Sequence, residues 1–473
     1  MQRATDLAAV VRDPARFARG ILQSDVWPLQ EAILRSVAAN PRTAVKACHA
    51  SGKTFCAALA LLWWVTRHQD AIVVTTAPTW TQVEKLLWGE VHRAIARSRI
   101  AYPKPITTEL KLGPGRYAIG LSTNEGVRFQ GFHGDHVLVI LDEAPGVKPE
   151  IWEAIEGARA GGDVRLLALG NPTITSGPFY DAFAKDRVNW TTFTISAFDT
   201  PNLAGLDLPG LLALDDAGLA VSPRPYLVTR AWVREKYVEW GSAHPLWQAR
   251  VLGQFPAQAD DALVALAWIE RARAQEVADD GSAITAGIDV AGPGEDETVL
   301  CIRQGPRVLR EQWWPSPDPR GELLAALAPY RDRHDAVQVD SAGIGYYLAK
   351  HLKDAGFRVV GVNVGEAASD PDRYANLKAE HYWGLRMRFE AGDIGGALSE
   401  RTVSQLAGIR WSTNARGQIV IESKADARKR GVKSPDRAEA LMLAFAKART
   451  SGFLDFIRDE QRRAAEAAQE GMT

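Results

Sequence analysis

Short apolar runs without strict alternation mark the first part of the chain. Three of these runs lie at Ile72–Thr76, Val137–Leu141 and Val164–Leu169. Such runs are typical of parallel strands that are buried on both faces. Two longer patterns with helical spacing, Thr54–Val65 and Thr81–Ile95, lie between them. The alternation predicts an α/β domain at residues 1–200, with a parallel sheet flanked by helices.

The middle of the chain, residues 201–258, has a less regular pattern. It begins with the loop-rich sequence PNLAGLDLPGLLALDDAGL, and two short helical patterns follow at Trp232–Trp240 and Pro245–Leu252. We interpret this segment as a small lid or linker subdomain that packs on the first domain.

Closely spaced β-type runs open the second region of the chain. They lie at Ile284–Val290, Thr298–Arg303 and Val308–Trp314. Their short connections, AGPGEDE and QGPR, favour antiparallel hairpins. A helical segment, Gly321–Arg331, and a fourth strand, Ala336–Asp340, follow. This order predicts a ribonuclease H-like α/β fold for residues 259–450, followed by a polar tail at 451–473.

Composition is that of a folded protein with two or three domains. The 473 residues are 46% hydrophobic, and 56 basic against 57 acidic side chains leave a formal net charge of −1. This balance excludes a uniformly basic nucleic-acid coat but allows local basic patches. Three cysteines cannot make a disulfide framework, and no Cys/His cluster has zinc-ligand spacing. Without a signal peptide or a long apolar segment, we expect a cytoplasmic protein that has no membrane partner.

A phosphate-binding loop is predicted in the sequence ACHASGKT. It fits the Walker A pattern except at Ala47, where a glycine is usual. Small residues let backbone N–H groups surround a phosphate, while a lysine reaches the β- and γ-phosphate oxygens and a hydroxyl binds Mg²⁺. A chance G-K-T at a strand–helix turn is the alternative. The residues that we assign to ATP binding in this loop are Ala47, Ser51, Gly52, Lys53 and Thr54.

The buried strand HVLVIL ends in two carboxylates that complete this chemistry. Asp142 would hold the Mg²⁺ of ATP through water, and Glu143 would polarise the attacking water. Paired acids at a strand tip usually mark a solvated turn. A phosphate loop upstream in the same domain favours the Walker B interpretation.

Three further residues carry weaker predictions for the same site. Asn171 would contact the γ-phosphate or its water, although an Asn-Pro turn explains it equally well. Gln30, in WPLQ, would recognise the adenine edge, although a surface glutamine is the ordinary interpretation. Arg128 would act as an arginine finger for a neighbouring subunit, although most arginines are simply solvated.

Three aspartates in the second region predict a metal site. Asp289 and Asp340 lie in apolar strands, where an acid has to be paired or bind a metal. Asp436 lies near the predicted start of a helix, whose dipole favours an acid without any function. If the first and fourth strands are adjacent, the three carboxylates converge and hold two divalent ions for phosphodiester cleavage. Asp296 is a provisional fourth ligand.

A basic run, KADARKRGVK, precedes the third aspartate. Cations beside an acidic site suit a phosphate backbone. A solvated charge run is the default interpretation of the same residues.

Taken together, these motifs resemble the large terminase subunit of tailed bacteriophages. The resemblance covers about residues 20 to 450. It rests on stretches in the same order, namely WPLQEAIL, ACHASGKT, TTAPTWTQVEKLLW, LDEAPGV, GNPT with SGPFY, VLGQFP, GIDVAGPGEDET, VDSAGIG, YANLKAEHYWGLR and SPDRAEALMLAF. It implies a P-loop NTPase that packages DNA, joined to a metal-dependent endonuclease.

The resemblance also implies cofactors and partners. The motor would use ATP with Mg²⁺, and the nuclease would use two divalent ions, Mg²⁺ or Mn²⁺. Its partners would be double-stranded DNA, the small terminase subunit and the portal protein of the procapsid, with a homo-oligomeric ring forming when docked. The chain would act in the cytoplasm of the infected bacterial host, docking transiently on the procapsid.

Residue roles follow from the same resemblance. Lys53 and Thr54 would contact phosphate and Mg²⁺, and Asp142 with Glu143 would form the Walker B pair. Asn171 would take the coupling position and Arg128 the position of the trans-acting finger, and the three aspartates would be the nuclease acids. A helicase–nuclease or a recombination ATPase acting on cellular DNA is the alternative function.

Overall fold

The computed structural model of the chain describes residues 9–122, 132, 134–159, 163–256, 261–275, 277–291, 297–316, 318–331, 334–341, 345–429 and 434–446. The chain divides into two compact units, Met1–Gln258 and Ala259–Thr473. The predicted tail at 451–473 and the residues Arg128 and Asp296 lie outside the described residues.

In the first unit, strands alternate with helices. Its strands are β1 (Arg42–Ala47), β2 (Ala71–Thr76), β3 (Glu109–Gly113), β4 (Arg116–Gly120), β5 (His136–Leu141), β6 (Asp163–Gly170) and β7 (Thr191–Ile195). Its α-helices are α1 (Pro14–Gly20), α2 (Pro28–Ala39), α3 (Lys53–Arg67), α4 (Trp88–Arg97), α5 (Pro149–Ala158), α6 (Gly177–Asp181), α7 (Leu208–Leu212), α8 (Asp216–Ala220) and α9 (Arg230–Trp240). Two π-helical segments also occur, at Gln82–Leu87 and Trp247–Val251.

These seven strands form one sheet in the order β3-β4-β2-β5-β6-β1-β7. Neighbouring strands pair in parallel, except for the antiparallel pair β3 and β4. The order β2-β5-β6-β1-β7, with a phosphate loop after β1, is that of a P-loop NTPase. The predicted parallel sheet is confirmed.

Burial on both faces explains the lack of alternation in these strands. Every residue of β2 is buried, and so is every residue of β5 after His136. Helix α3 is itself buried along most of its length, from Cys56 to Val65. A sheet covered on both faces needs apolar side chains at successive positions, which is the pattern in the sequence.

A second set of elements forms the other unit. Its strands are β8 (Ile284–Asp289), β9 (Thr298–Gln304), β10 (Arg307–Trp314), β11 (His334–Asp340), β12 (Val359–Val362), β13 (Gly395–Gly396), β14 (Trp411–Thr413) and β15 (Ile419–Ile421). Its α-helices are α10 (Leu266–Ala274), α11 (Arg320–Leu327), α12 (Gly345–Asp354), α13 (Leu377–Ala391), α14 (Glu400–Gly408), α15 (Lys424–Lys429) and α16 (Asp436–Phe445).

Six strands of this unit form a mixed sheet in the order β12-β11-β8-β9-β10-β13. The strands β8, β9 and β10 pair antiparallel, as the short connections predicted, while β11 pairs parallel with β8. The fourth predicted strand therefore lies beside the first, which confirms the ribonuclease H-like order. Helix α16 begins at Asp436, near the predicted start, because Pro435 has a non-helical ψ of 45°.

Helix α16 packs unusually close to β8, and a glycine makes this approach possible. A Cβ atom at Gly287 would lie 2.2 Å from both the carbonyl oxygen of Ala440 and the amide nitrogen of Ala444. Both atoms belong to the helix backbone and cannot rotate away. The small residue at this position therefore lets the middle of α16 lie directly against β8.

Replacing Gly287 with alanine is expected to destabilise the second unit by about 1–3 kcal/mol or more, because the helix has to move to accept the methyl group. Gly384→Ala in helix α13 is the matched control, since no neighbouring atom lies within 4 Å of the position that its methyl group would take. This control should be neutral or stabilising by up to about 1 kcal/mol. Urea unfolding measures both changes, and equal stability of the two variants would contradict the close packing.

Two global features bear on the predicted setting. The three cysteines, Cys48, Cys56 and Cys301, are buried and form no disulfide. Among the helices of the described residues, none combines the length and the apolar character that a membrane span needs.

Candidate functional sites

The predicted phosphate loop connects β1 to the start of α3. Gly52 has a φ of 76° and Ala50 has a φ of 47°, so two residues of this turn are left-handed. A Cβ atom at Gly52 would lie 2.6 Å from the side-chain nitrogen of Gln30. The positive φ therefore favours glycine at position 52, and a larger residue would also have to displace the Gln30 side chain.

Five predicted residues meet at the end of this loop. The Thr54 hydroxyl donates to the Asp142 carboxylate at 2.9 Å, and the Lys53 ammonium pairs with Glu143 at 2.8 Å. Lys53 also donates to the Asn171 side-chain oxygen at 3.2 Å. These contacts bring together the ends of β5 and β6 and the first turn of α3, as expected for an NTPase site.

Asn171 also contacts the first residue of the predicted phosphate loop. Its side-chain nitrogen donates to the carbonyl oxygen of Ala47 at 2.6 Å, while its oxygen accepts from Lys53. One side chain thus connects the end of β6 to the beginning and the end of the loop. This geometry suits the predicted coupling position better than an isolated turn.

Burial and neighbouring charges shift the pKa values of two residues in this site. Burial and then the neighbouring charge of Glu143 raise the pKa of Asp142 to about 6. Burial acts to lower the pKa of Lys53, but the charges of Glu143 and Asp142 outweigh it and hold that pKa above its ordinary value. The raised pKa indicates that the surroundings do not fully compensate the negative charge of Asp142. A divalent cation bound where Asp142 contacts Thr54 would supply that compensation.

A buried hydroxyl supports the fit of the loop to a phosphate. Ser51 is 1% exposed, and its Oγ has no hydrogen-bond partner in the part of the chain that the structure describes. An unsatisfied buried hydroxyl is costly unless a ligand completes it. Ser51, Lys53 and the N-terminus of α3 offer donors of the kind that phosphate oxygens accept.

Gln30 differs from its predicted role. The residue is 2% exposed, its side-chain nitrogen donates to the Gly52 carbonyl at 3.3 Å, and its oxygen accepts from the Trp27 amide at 3.4 Å. The amide is therefore buried behind the loop rather than displayed to a base. These contacts favour a bracing role for Gln30 over the adenine contact.

The segment 201–258 holds the same loop from the other side. The amide of His49 donates to the Arg250 carbonyl at 2.9 Å, and the amide of Val228 donates to the Ala50 carbonyl at 3.0 Å. The His49 ring stacks on Trp232 of α9, with centroids 6.2 Å apart. This segment thus contacts the predicted phosphate loop directly.

The three predicted aspartates of the second unit lie at the end of the sheet where β8 and β11 finish. Asp289 ends β8 and Asp340 ends β11, and the parallel pairing of Ile288 with Val339 makes the two acids adjacent. Asp436 opens α16, and its carboxylate accepts from the amide of Glu297 at 3.2 Å and from the Ser434 hydroxyl. The structure therefore brings the three predicted aspartates to the same end of the unit.

A fourth acid, Glu439, was missed by the sequence interpretation. It lies one turn after Asp436 on α16 and is buried between two lysines, with Lys378 at 2.6 Å and Lys424 at 2.7 Å. Lys424 also lies 3.8 Å from Asp436. The spacing of three residues between the two acids was the available signal, because residues i and i+3 share one face of a helix.

The charges of this cluster are not balanced. Burial and then the charge of Glu439 raise the pKa of Asp289 well above its ordinary value, with further contributions from Asp436 and Asp340. Burial would also raise the pKa of Glu439, but Lys378 and Lys424 outweigh it and lower that pKa. The carboxylate of Asp289 thus faces other negative groups, an arrangement that favours a cation nearby.

Metal binding by these acids requires some rearrangement. Within the described residues, no group of three or more His, Cys, Asp or Glu side chains is already placed to hold a metal ion. The Lys424 ammonium instead lies among the carboxylates and supplies positive charge. Carboxylates gathered around one cation are the type of oxygen donor that divalent ions prefer.

Comparison with known proteins gives the following similarities. No family model matches the chain. A curated relative, the probable terminase large subunit of Enterobacteria phage P7, is 27% identical over 460 residues, covering 89% of this chain and 88% of that protein.

Two large terminases and one nuclease domain are among the solved structures that are similar to this chain. The large terminase of the thermophilic bacteriophage D6E is 12% identical with a TM-score of 0.41, covering 89% of this chain and 98% of that one. The HK97 large terminase is 14% identical with a TM-score of 0.37, covering 89% and 95%. A mutant nuclease domain of the large terminase subunit gp2 of bacterial virus Sf6, solved with manganese and β-thujaplicinol, is 19% identical with a TM-score of 0.34, covering 39% and 98%.

Proposed function

We propose that this chain, which is similar to a large terminase subunit over nearly nine-tenths of its length, is a viral DNA-packaging subunit with two enzymatic activities. The first unit would hydrolyse ATP to translocate double-stranded DNA, and the second would cut concatemeric DNA. The observation that carries the proposal is the meeting of Lys53, Thr54, Asp142 and Glu143 at one phosphate loop. A separate cluster of buried acids in the other unit supplies the second activity.

The contacts of the first unit suggest how hydrolysis would be controlled. Lys53 holds Glu143 in an ion pair. A bound triphosphate would draw the Lys53 ammonium towards its β- and γ-oxygens. Glu143 would then be released to accept a hydrogen bond from the attacking water and polarise it. Thr54 and Asp142 would hold the Mg²⁺ that accompanies ATP.

In the second unit, Asp289, Asp340 and Asp436 would hold two divalent ions, Mg²⁺ or Mn²⁺. When bound, such ions activate water and stabilise the leaving oxygen in phosphodiester cleavage. The lysines stabilise the acid cluster until an ion binds, because unpaired buried carboxylates are costly. Glu439 stays ionised through its two lysine partners and positions Lys424 at the cluster.

The similarity to the phage P7 protein supports a packaging role, and such a role would need partners. Packaging would require a portal on the procapsid, a small terminase subunit that delivers the DNA, and a homo-oligomeric ring of this chain. The chain would act in the cytoplasm of an infected bacterium and dock transiently on the procapsid. Arg128 would serve a neighbouring subunit in that ring, and Asp296 would support the nuclease metals.

A first test uses the purified full-length chain. It is expected to hydrolyse ATP when Mg²⁺ is present and to cut plasmid DNA when Mg²⁺ or Mn²⁺ is present. EDTA should stop both reactions. A pure, folded preparation that shows neither reaction would overturn the proposal, and strong unwinding of forked DNA would favour a helicase–nuclease instead.

A further inference from the structure

A tryptophan lies near the acid cluster of the second unit, on the same edge of the sheet. Asp289 pairs with Val299 across β8 and β9, and Val299 pairs with Trp313 across β9 and β10. Neighbouring strands are about 4.8 Å apart, so the backbone of Trp313 lies about 10 Å from that of Asp289. Trp313 and Asp289 therefore lie at the same level of the sheet, two strands apart.

Trp313 also points to the same face of the sheet as the acids. Its neighbour Trp314 packs against the apolar core that contains Ile288, and successive side chains of a strand alternate between faces. On this same face, away from the apolar core, the guanidinium of Arg437 lies 3.7 Å from the centre of the Trp313 ring. Arg437 follows Asp436 directly, so the ring lies beside the start of α16.

The ring is held in place but not buried. Arg437 is itself nearly buried, and it donates to the Ser399 hydroxyl at 3.2 Å and pairs with Glu297 at 3.4 Å. Arg401 pairs with the same glutamate at 2.8 Å. This network fixes one face of the indole, yet 46% of Trp313 remains exposed to solvent. An ordered, half-exposed indole is a preformed surface for a flat ligand.

Its surroundings identify the chemistry of that ligand. Arg437, which stacks on the ring, and Arg401 share one acid, Glu297, so these three side chains leave a net positive charge beside Trp313. Aromatic rings interleaved with cations hold single-stranded nucleic acid, because bases stack on the rings and phosphates pair with the cations. Bases inside an intact duplex have both faces covered by their neighbours, so a ring can stack only on an unpaired or displaced base.

We propose that Trp313 stacks on an unpaired base of the DNA strand that enters the nuclease site. The backbone separation of about 10 Å places Trp313 within a few nucleotides of a phosphate held at the acids. The proposal rests on the proposed nuclease function and adds a preference for locally opened DNA. Trp313 acts as a binding residue and takes no part in the chemistry at the acids.

The test measures binding of the full-length chain to labelled DNA in EDTA, where no cutting occurs. One duplex is fully paired, and the other carries a central unpaired bubble with 2-aminopurine. Trp313→Ala is expected to weaken binding of the bubble by about 5- to 150-fold, since stacking contributes about 1–3 kcal/mol per base. Binding of the paired duplex should change less than about twofold, and the quenching of 2-aminopurine should be lost.

Two further variants make the result specific. Trp313→Phe keeps an aromatic ring and should retain most of the affinity for the bubble even if Trp313→Ala perturbs folding. Trp80→Ala removes a tryptophan of similar exposure, 43%, from the first unit and should leave both affinities unchanged. Equal losses for the bubble and the paired duplex, or no loss for either, would overturn the proposal. Because binding is measured without metal, a failure to cut DNA would overturn only the proposed nuclease.

Discussion

Replacing Glu143 with glutamine is expected to lower the rate of ATP hydrolysis by about 10²- to 10⁴-fold, the usual contribution of a general base. Glutamine keeps the shape of the side chain but cannot accept a proton. It also frees Lys53 from its ion pair at 2.8 Å, so ATP binding should be retained or tightened. Phosphate release measures the rate, and a fluorescent ATP analogue measures the affinity.

Glu150→Gln is the matched control, because Glu150 is an exposed acid in the first turn of α5 within the same unit. It should hydrolyse ATP at the wild-type rate. Mg²⁺-dependent cutting of plasmid DNA should survive in both variants, which shows that the second unit is folded. Unchanged hydrolysis in Glu143→Gln would remove Glu143 from the proposed mechanism.

Asp340→Ala is expected to reduce Mg²⁺- or Mn²⁺-dependent plasmid cutting by at least about 100-fold, because one carboxylate of the proposed metal site is lost. ATP hydrolysis should continue at the wild-type rate. Gel analysis of plasmid forms over time measures the cutting. Asp354→Ala, which removes an exposed acid at the end of α12, is the control and should cut normally.

Persistent cutting by a clean preparation of Asp340→Ala would refute the metal site in the second unit. Loss of cutting together with loss of folding would be visible in the thermal unfolding profile. In that case Asp340→Asn, which keeps the volume of the side chain, should fold and still fail to cut. Normal cutting by Asp340→Asn would equally refute the assignment.

The buried strands could be predicted from the sequence because their burial leaves a direct compositional trace. The strand β5 is apolar at successive positions, and the turn sequence between β8 and β9 favours a hairpin. Strand β7, TTFTI, was missed because it is only partly buried and has no continuous apolar run. Strand β12 was missed because four residues, VVGV, are too few to show a period.

Site residues could be predicted where one short motif fixes their position. Lys53, Thr54 and Asp142 lie at the ends of buried elements, so the sheet order alone brings them together. Gln30 illustrates the limit of this reasoning, because its burial depends on how α2 packs behind the phosphate loop. No local pattern distinguishes a glutamine that braces a loop from one that contacts a base.

The acid cluster of the second unit shows the same limit for long-range pairs. Lys378 pairs with Glu439 across 61 residues of chain, and this contact is created by the packing of α13 against α16. An exposed helix face would show the same residue types in sequence. Only the burial of Glu439 distinguishes this buried ion pair from one on an exposed helix face.

Packaging of DNA by the purified chain tests the central claim most directly. Procapsids with their portal, DNA and ATP are mixed with the chain, and the DNA that becomes resistant to added nuclease is measured. We expect resistance with the wild-type chain and with Asp340→Ala on linear DNA, and none with Glu143→Gln or without ATP. Active ATP hydrolysis without any protected DNA, or protection that does not require Glu143, would contradict the account.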